Sequence, residues 1–144
     1  MSNKLTSEDV EILVETSNRQ ISEETSTFHR YLMNEIDWRD RLICIKGARG
    51  TGKTTLMRQR MKEHFGIDSR LALYASLDDL WFARHQVREL VEYLYEHGYT
   101  HLFLDEVHHL GKEWSLVIKN VVDQFRNINI VYSGSSLLHL EKAA

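Results

Sequence analysis

Gly47-Ala48-Arg49-Gly50-Thr51-Gly52-Lys53-Thr54 fits the pattern G-x-x-x-x-G-K-[ST] at every fixed position. Its surroundings matter as much as the pattern. Leu42-Ile43-Cys44-Ile45 runs into it, short and continuously apolar, like a strand buried on both faces. A helix pattern leaves it, from Lys53 to about His64. Strand, glycine-rich turn and helix in that order make a phosphate cradle. Glycines let the backbone curl, successive N–H groups point inward, and the helix N-terminus adds partial positive charge. A turn that merely joins a strand to a helix needs one or two glycines, not three followed by Lys-Thr at fixed offsets.

The expected ligand is a nucleoside triphosphate, ATP with Mg²⁺. Gly47, Ala48, Arg49, Gly50, Thr51, Gly52, Lys53, Thr54 and Thr55 form the candidate binding set. Lys53 is expected to neutralise the β- and γ-phosphates, and Thr54 to place its hydroxyl on Mg²⁺. Arg49 has two readings, an approach to phosphate or a solvated side chain.

Outward from this stretch the chain alternates. Leu71-Ala72-Leu73-Tyr74 reads as a second strand, with Ser76 and Asp79 as a capping pair after it. Val87, Leu90, Val91, Leu94 and Tyr95 form a helical stripe that stops at Gly98. Leu102-Phe103-Leu104 is a third strand, ending in Asp105-Glu106. Trp114, Val117, Ile118, Val121, Val122 and Phe125 recur at three- and four-residue steps, the strongest helix signal in the chain. Ile128 to Tyr132 is a fourth strand, ending in Ser133-Gly134-Ser135-Ser136. Short apolar strands alternating with amphipathic helices imply an α/β fold, a parallel sheet covered on both faces in three layers.

Strand C-termini converge on the ligand edge of such a sheet. Asp105 is therefore expected near the Mg²⁺, and Glu106 is a candidate base for an attacking water. Adjacent residues at a strand end can point to different sides, which suits two roles. The bland alternative, a solvated Asp-Glu or a helix cap, weakens beside the phosphate motif upstream. A hydroxyl at the end of the fourth strand could sense the γ-phosphate, Ser133 being nearest the strand; the competing reading has Ser135 or Ser136 cap a terminal helix. His101, His108 and His109 flank the acidic pair, but their spacing fits no zinc template. Trp81, Phe82 and Trp114 read as core or interface, since no basic stripe makes them a base-stacking platform.

Residues 1–38 read as a separate N-terminal helical segment before a core over 39–144. Ser7-Glu8-Asp9 supplies a cap and an acidic first turn, and Val10, Leu13 and Val14 an apolar stripe. A second start at Ser22-Glu23-Glu24 precedes Phe28, Tyr31, Leu32 and Ile36 at helical spacing. A helical hairpin and one interrupted helix both fit. Composition adds bounds. Lysine plus arginine is 18 against 21 acidic residues, a net charge of −3, so charge gives no support to nucleic acid or an anionic membrane as partner. No run approaches the roughly 20 apolar residues of a membrane helix. One cysteine, Cys44, allows no internal disulfide, and a cytoplasmic setting is expected.

Together the glycine loop with Thr55-Leu56, Leu104-Asp105-Glu106-Val107-His108, Trp114 and Ser133-Gly134-Ser135-Ser136 resemble the AAA-type ATPases of prokaryotes. The group it resembles has a G-x-R-x-x-G-K-T-T loop, an L-D-E strand end and a T-G-S-S-like fourth strand. The likeness covers about residues 41–140, with Ala48 where the family often has proline and Ser133 where it often has threonine. It implies Lys53 and Thr54 as nucleotide and Mg²⁺ ligands, Asp105 at the metal, Glu106 as catalytic base and Ser133 as sensor. It also implies a sheet order of 5-1-4-3-2, and a fifth strand, helical lid, arginine finger and C-terminal domain beyond this chain. The expectation is thus a truncated ATPase core that binds ATP and ADP and hydrolyses ATP slowly alone. Leu137 to Glu141 would begin an unfinished helix, and the uncovered edge at Leu42–Ile45 would favour self-association. The alternatives are a nucleotide-dependent binding switch with negligible hydrolysis alone, and a small-molecule phosphotransferase on the same loop. No N-K-x-D segment supports a GTPase.

Overall fold

The computed structural model describes residues 4–24, 35–47 and 52–135. Ala48, Arg49, Gly50 and Thr51 of the loop lie outside them, as do Phe28, Tyr31, Leu32, Ser136 and the terminal residues 137–144. The elements in chain order are α1 (Ser7–Ser22), β1 (Leu42–Gly47), α2 (Lys53–Phe65), β2 (Ala72–Ser76), α3 (Val87–Glu96), β3 (His101–Asp105), α4 (Trp114–Gln124) and β4 (Asn129–Ser135), with single 3₁₀ turns at Leu80–Ala83 and Val107–Leu110.

The four strands form one parallel sheet in the order β1-β4-β3-β2, the expected arrangement for the strands described. Parallel neighbours need crossovers, and helices supply them. Alternation along each strand sends side chains to two cores. Leu73, Leu102, Leu104, Ile130 and Tyr132 pack with α3 and α4. Ile43, Ile45, Tyr74, Phe103 and Val131 pack with Leu56, Met57 and Met61 of α2. Trp81 and Trp114 are buried among the α3 and α4 residues, as core rather than a stacking platform.

Helix α1 is not separate from the core. Val10, Leu13 and Val14 enter one apolar cluster and Ile21 the other, so α1 lies along the β2 edge and reaches both faces. Its buried stripe includes Ser17, whose Oγ accepts a hydrogen bond from the backbone N–H of Tyr74 at 3.0 Å. An edge strand exposes unpaired N–H groups, and this serine satisfies one of them inside the protein. Trp81 Nε1 donates to the Asp9 carbonyl at 2.8 Å and ties α1 down a second time.

Two caps differ from expectation. The first cap of α1 is Thr6, not Ser7: Thr6 Oγ1 accepts from Asp9 N at 3.2 Å while Asp9 Oδ2 accepts from Thr6 N at 2.9 Å. Only Thr6 stands three residues before a side chain that can return the bond. Ser76 belongs to β2, and Asp79 alone caps the following turn, accepting from Trp81 N at 2.9 Å.

Candidate functional site

The C-terminal ends of the strands meet the start of α2. Gly52 precedes that helix with φ +84° and ψ +21°, a left-handed conformation that glycine adopts without a Cβ clash. Its carbonyl accepts from Leu56 N at 3.0 Å, so the helix starts immediately after the glycine. Lys53, Thr54 and Thr55 are thereby the first residues of α2, where unpaired N–H groups and the helix dipole favour an anion. Leu56 and Met57 follow, fully buried, and anchor this end of the helix against the sheet.

Asp105 ends β3, 2% exposed. Four donors converge on its carboxylate. Oδ2 accepts from Thr54 Oγ1 at 2.5 Å and from Tyr74 OH at 2.7 Å. Oδ1 accepts from Ser133 Oγ and, at 3.1 Å, from the backbone N–H of Glu106. A carboxylate offers about four acceptor positions, so this buried group is fully satisfied by three hydroxyls and one amide. Strand register explains the meeting. Leu104 stands opposite Tyr132, so Asp105 and Ser133 are the next residues on neighbouring strands, on the α2 face.

Glu106 follows with φ +60° and ψ +48°, a left-handed conformation uncommon for a residue with a side chain. Divergence of the two carboxylates was expected from strand alternation. It arises instead because the strand stops at Asp105 and the backbone turns at Glu106. The Glu106 side chain is about one-third exposed, and its Oε2 lies 3.2 Å from Nε2 of His108. Glu106, His108 and His109 together bring potential metal-ligand atoms within 4.8 Å of one another. His101 is not part of this group. It begins β3, at the other end of the strand, against Phe65, and burial lowers its pKa.

Of the residues singled out in the sequence, Thr54, Asp105, Glu106 and Ser133 meet here. Sequence reading missed Tyr74. Its phenol is pushed well above its ordinary pKa by burial and then by the Asp105 charge, which keeps it a neutral hydrogen-bond donor. The signal available was a polar-tipped aromatic near the end of a strand parallel to the one bearing Asp105. Oxygen donors, a carboxylate and a hydroxyl in contact, match the preference of Mg²⁺, which takes oxygen ligands.

The profile of a family described as "AAA domain" matches residues 39–144. The chain belongs to that family. Membership gives it a nucleotide-binding function of the ATPase type. Among curated proteins, the uncharacterized protein MJ1637 of Methanocaldococcus jannaschii is 33% identical over 127 residues, which cover 79% of this chain and 25% of that protein. The chain thus spans about a quarter of the length of this relative. Among solved structures, PCH-2 of C. elegans matches with a TM-score of 0.47 and 20% identity, over 96% of this chain and 40% of that one. No helix among the described residues is long and apolar enough to cross a membrane.

Proposed function

We propose that this AAA domain binds ATP with Mg²⁺ and hydrolyses it to ADP and phosphate. The observation that carries the reading is the contact between Thr54 Oγ1 and Asp105 Oδ2 at 2.5 Å, across 51 residues of sequence. It joins the first turn of the helix after the glycine loop to the acidic strand end. Thr54 and Asp105 would hold Mg²⁺, which supplies positive charge against the phosphate oxygens. Lys53, beside Thr54, neutralises the β- and γ-phosphates. By sequence, Ala48, Arg49, Gly50 and Thr51, outside the described residues, belong to the same phosphate-binding set as Gly47, Gly52 and Thr55. Glu106 takes the proton of the water that attacks the γ-phosphorus, while the bond to the β-phosphate oxygen breaks and ADP leaves. Ser133 fixes Asp105 and stands beside the backbone of Glu106, its Oγ 3.4 Å from the Glu106 N–H. In that position it can report on the γ-phosphate through either acid.

One observation favours a second reading, a switch that binds nucleotide and turns over little on its own. The carboxylate of Glu106 faces His108 at 3.2 Å, a partner that must yield before the base can take a proton from water. Glu106→Gln separates the two. Under the hydrolysis reading it keeps ATP affinity and lowers phosphate release by about 10²–10⁴-fold, the usual contribution of a general base. Phosphate release and calorimetric ATP titration, in the native protein, measure both. Equal turnover in parent and variant would remove Glu106 as the base.

A further inference from the structure

We propose that Tyr74 is a positioning residue for the metal site, holding the Asp105 carboxylate in place through its phenol O–H. This rests on the reading of Asp105 as a metal-site residue. Tyr74 OH donates to Oδ2 at 2.7 Å, the same oxygen that accepts from Thr54. The ring is 1% exposed, packed in the α2-side core. Register makes tyrosine the suitable side chain. Tyr74 stands opposite Phe103, two residues behind Asp105, so only a long, rigid side chain on the α2 face reaches forward to the carboxylate. Serine at this position is too short, and phenylalanine has no donor.

The tyrosine is itself fixed from three sides. Its backbone N–H is held by Ser17 of α1, its strand pairs with β3, and the Arg58 guanidinium lies 5.0 Å from the ring centroid. Ser17 is outside residues 39–144, the part that matches the family. The geometry therefore runs from the N-terminal helix through one edge strand to the acid at the centre of the site. A carboxylate held in one orientation by its remaining donors loses less conformational freedom when one of them gives way to a cation or to a water bound to it.

Tyr74→Phe removes one oxygen and keeps the ring, the Arg58 contact and the bond to Ser17. The measurement is ADP affinity by calorimetry as MgCl₂ is titrated, in the native protein. The variant is expected to bind ADP unchanged without Mg²⁺ and to need about tenfold more Mg²⁺ for the metal-dependent gain, the scale of one hydrogen bond to a charged group. Tyr132→Phe, on the opposite face of the sheet, removes a buried phenol oxygen that points away from the Asp105 side and should leave the Mg²⁺ midpoint alone. A parent that responds to Mg²⁺ and a folded Tyr74→Phe with the same or a lower midpoint would overturn the positioning role only. A parent whose ADP affinity ignores Mg²⁺ would overturn the metal-site reading and the positioning role together. A measurement without any variant adds to this. The Tyr74 ring resonances in the parent's NMR spectrum should shift on adding Mg²⁺ to the ADP complex, and unmoved resonances would count against the proposal.

Discussion

On the face of the sheet covered by α3 and α4, inward-pointing residues stay apolar along the strands: Leu73 and Ala75 on β2, Leu102 and Leu104 on β3, Ile130 and Tyr132 on β4. On the α2 face the same alternation begins apolar and then changes. Phe103 is followed two residues on by Asp105, and Val131 by Ser133. Both faces are buried at that point, yet only one carries a carboxylate. The difference lies in what covers it. The α2 face ends under the first turn of a helix, where N–H groups and the Thr54 hydroxyl are available, and a buried carboxylate there finds donors. On the other face it would be unpartnered. Both faces thus pack a core, and one of them also carries the proposed site, at the same level of the sheet.

Two substitutions sharpen the contrast. Leu104→Ala, one residue before Asp105 but on the apolar face, should cost about 2–5 kcal/mol of stability by cavity formation. Chemical denaturation would show it, with ADP affinity of the folded variant kept. A folded variant with lost affinity would mean the two faces are not independent. The smaller effect is expected at the β2 edge. Ser17→Ala leaves the Tyr74 N–H without its acceptor inside the protein and should cost about 1–3 kcal/mol. A variant as stable as the parent would show that water reaches this edge, and that α1 covers β2 less closely than Ser17 and Trp81 indicate.

Much of this was legible beforehand, for a physical reason. The four strands, the three helices between them and the residues Thr54, Asp105, Glu106 and Ser133 are set by local pattern: apolar runs, a 3.6-residue period and glycines where the backbone must turn. Strand ends were harder. β2 continues to Ser76 and β4 to Ser135 because ladder hydrogen bonds belong to the backbone and continue through polar residues. Tyr74 and Ser17 were out of reach for another reason. Each acts on a partner 31 or 57 residues away, and finding it requires the register of β2 on β3 or the seat of α1 on the edge. Ser17 did leave a trace, as a polar residue in line with Val10, Leu13, Val14 and Ile21 on one helical stripe. The turn at Glu106 left none, since a glutamate in a left-handed conformation follows no sequence rule.

In the proposed function, the start of α2 grips a nucleotide's phosphates beside the Asp105 site. Calorimetric titration of ATP with Mg²⁺ into the parent and into Lys53→Ala tests it most directly. Lys53 begins α2 but is not among the buried core residues, so its removal should leave the fold intact. Saturable binding to the parent is expected, with a loss of about a hundredfold or more in the variant, on the scale of a charge set against phosphate. Equal affinity in parent and folded variant, or no binding by the parent, would contradict it.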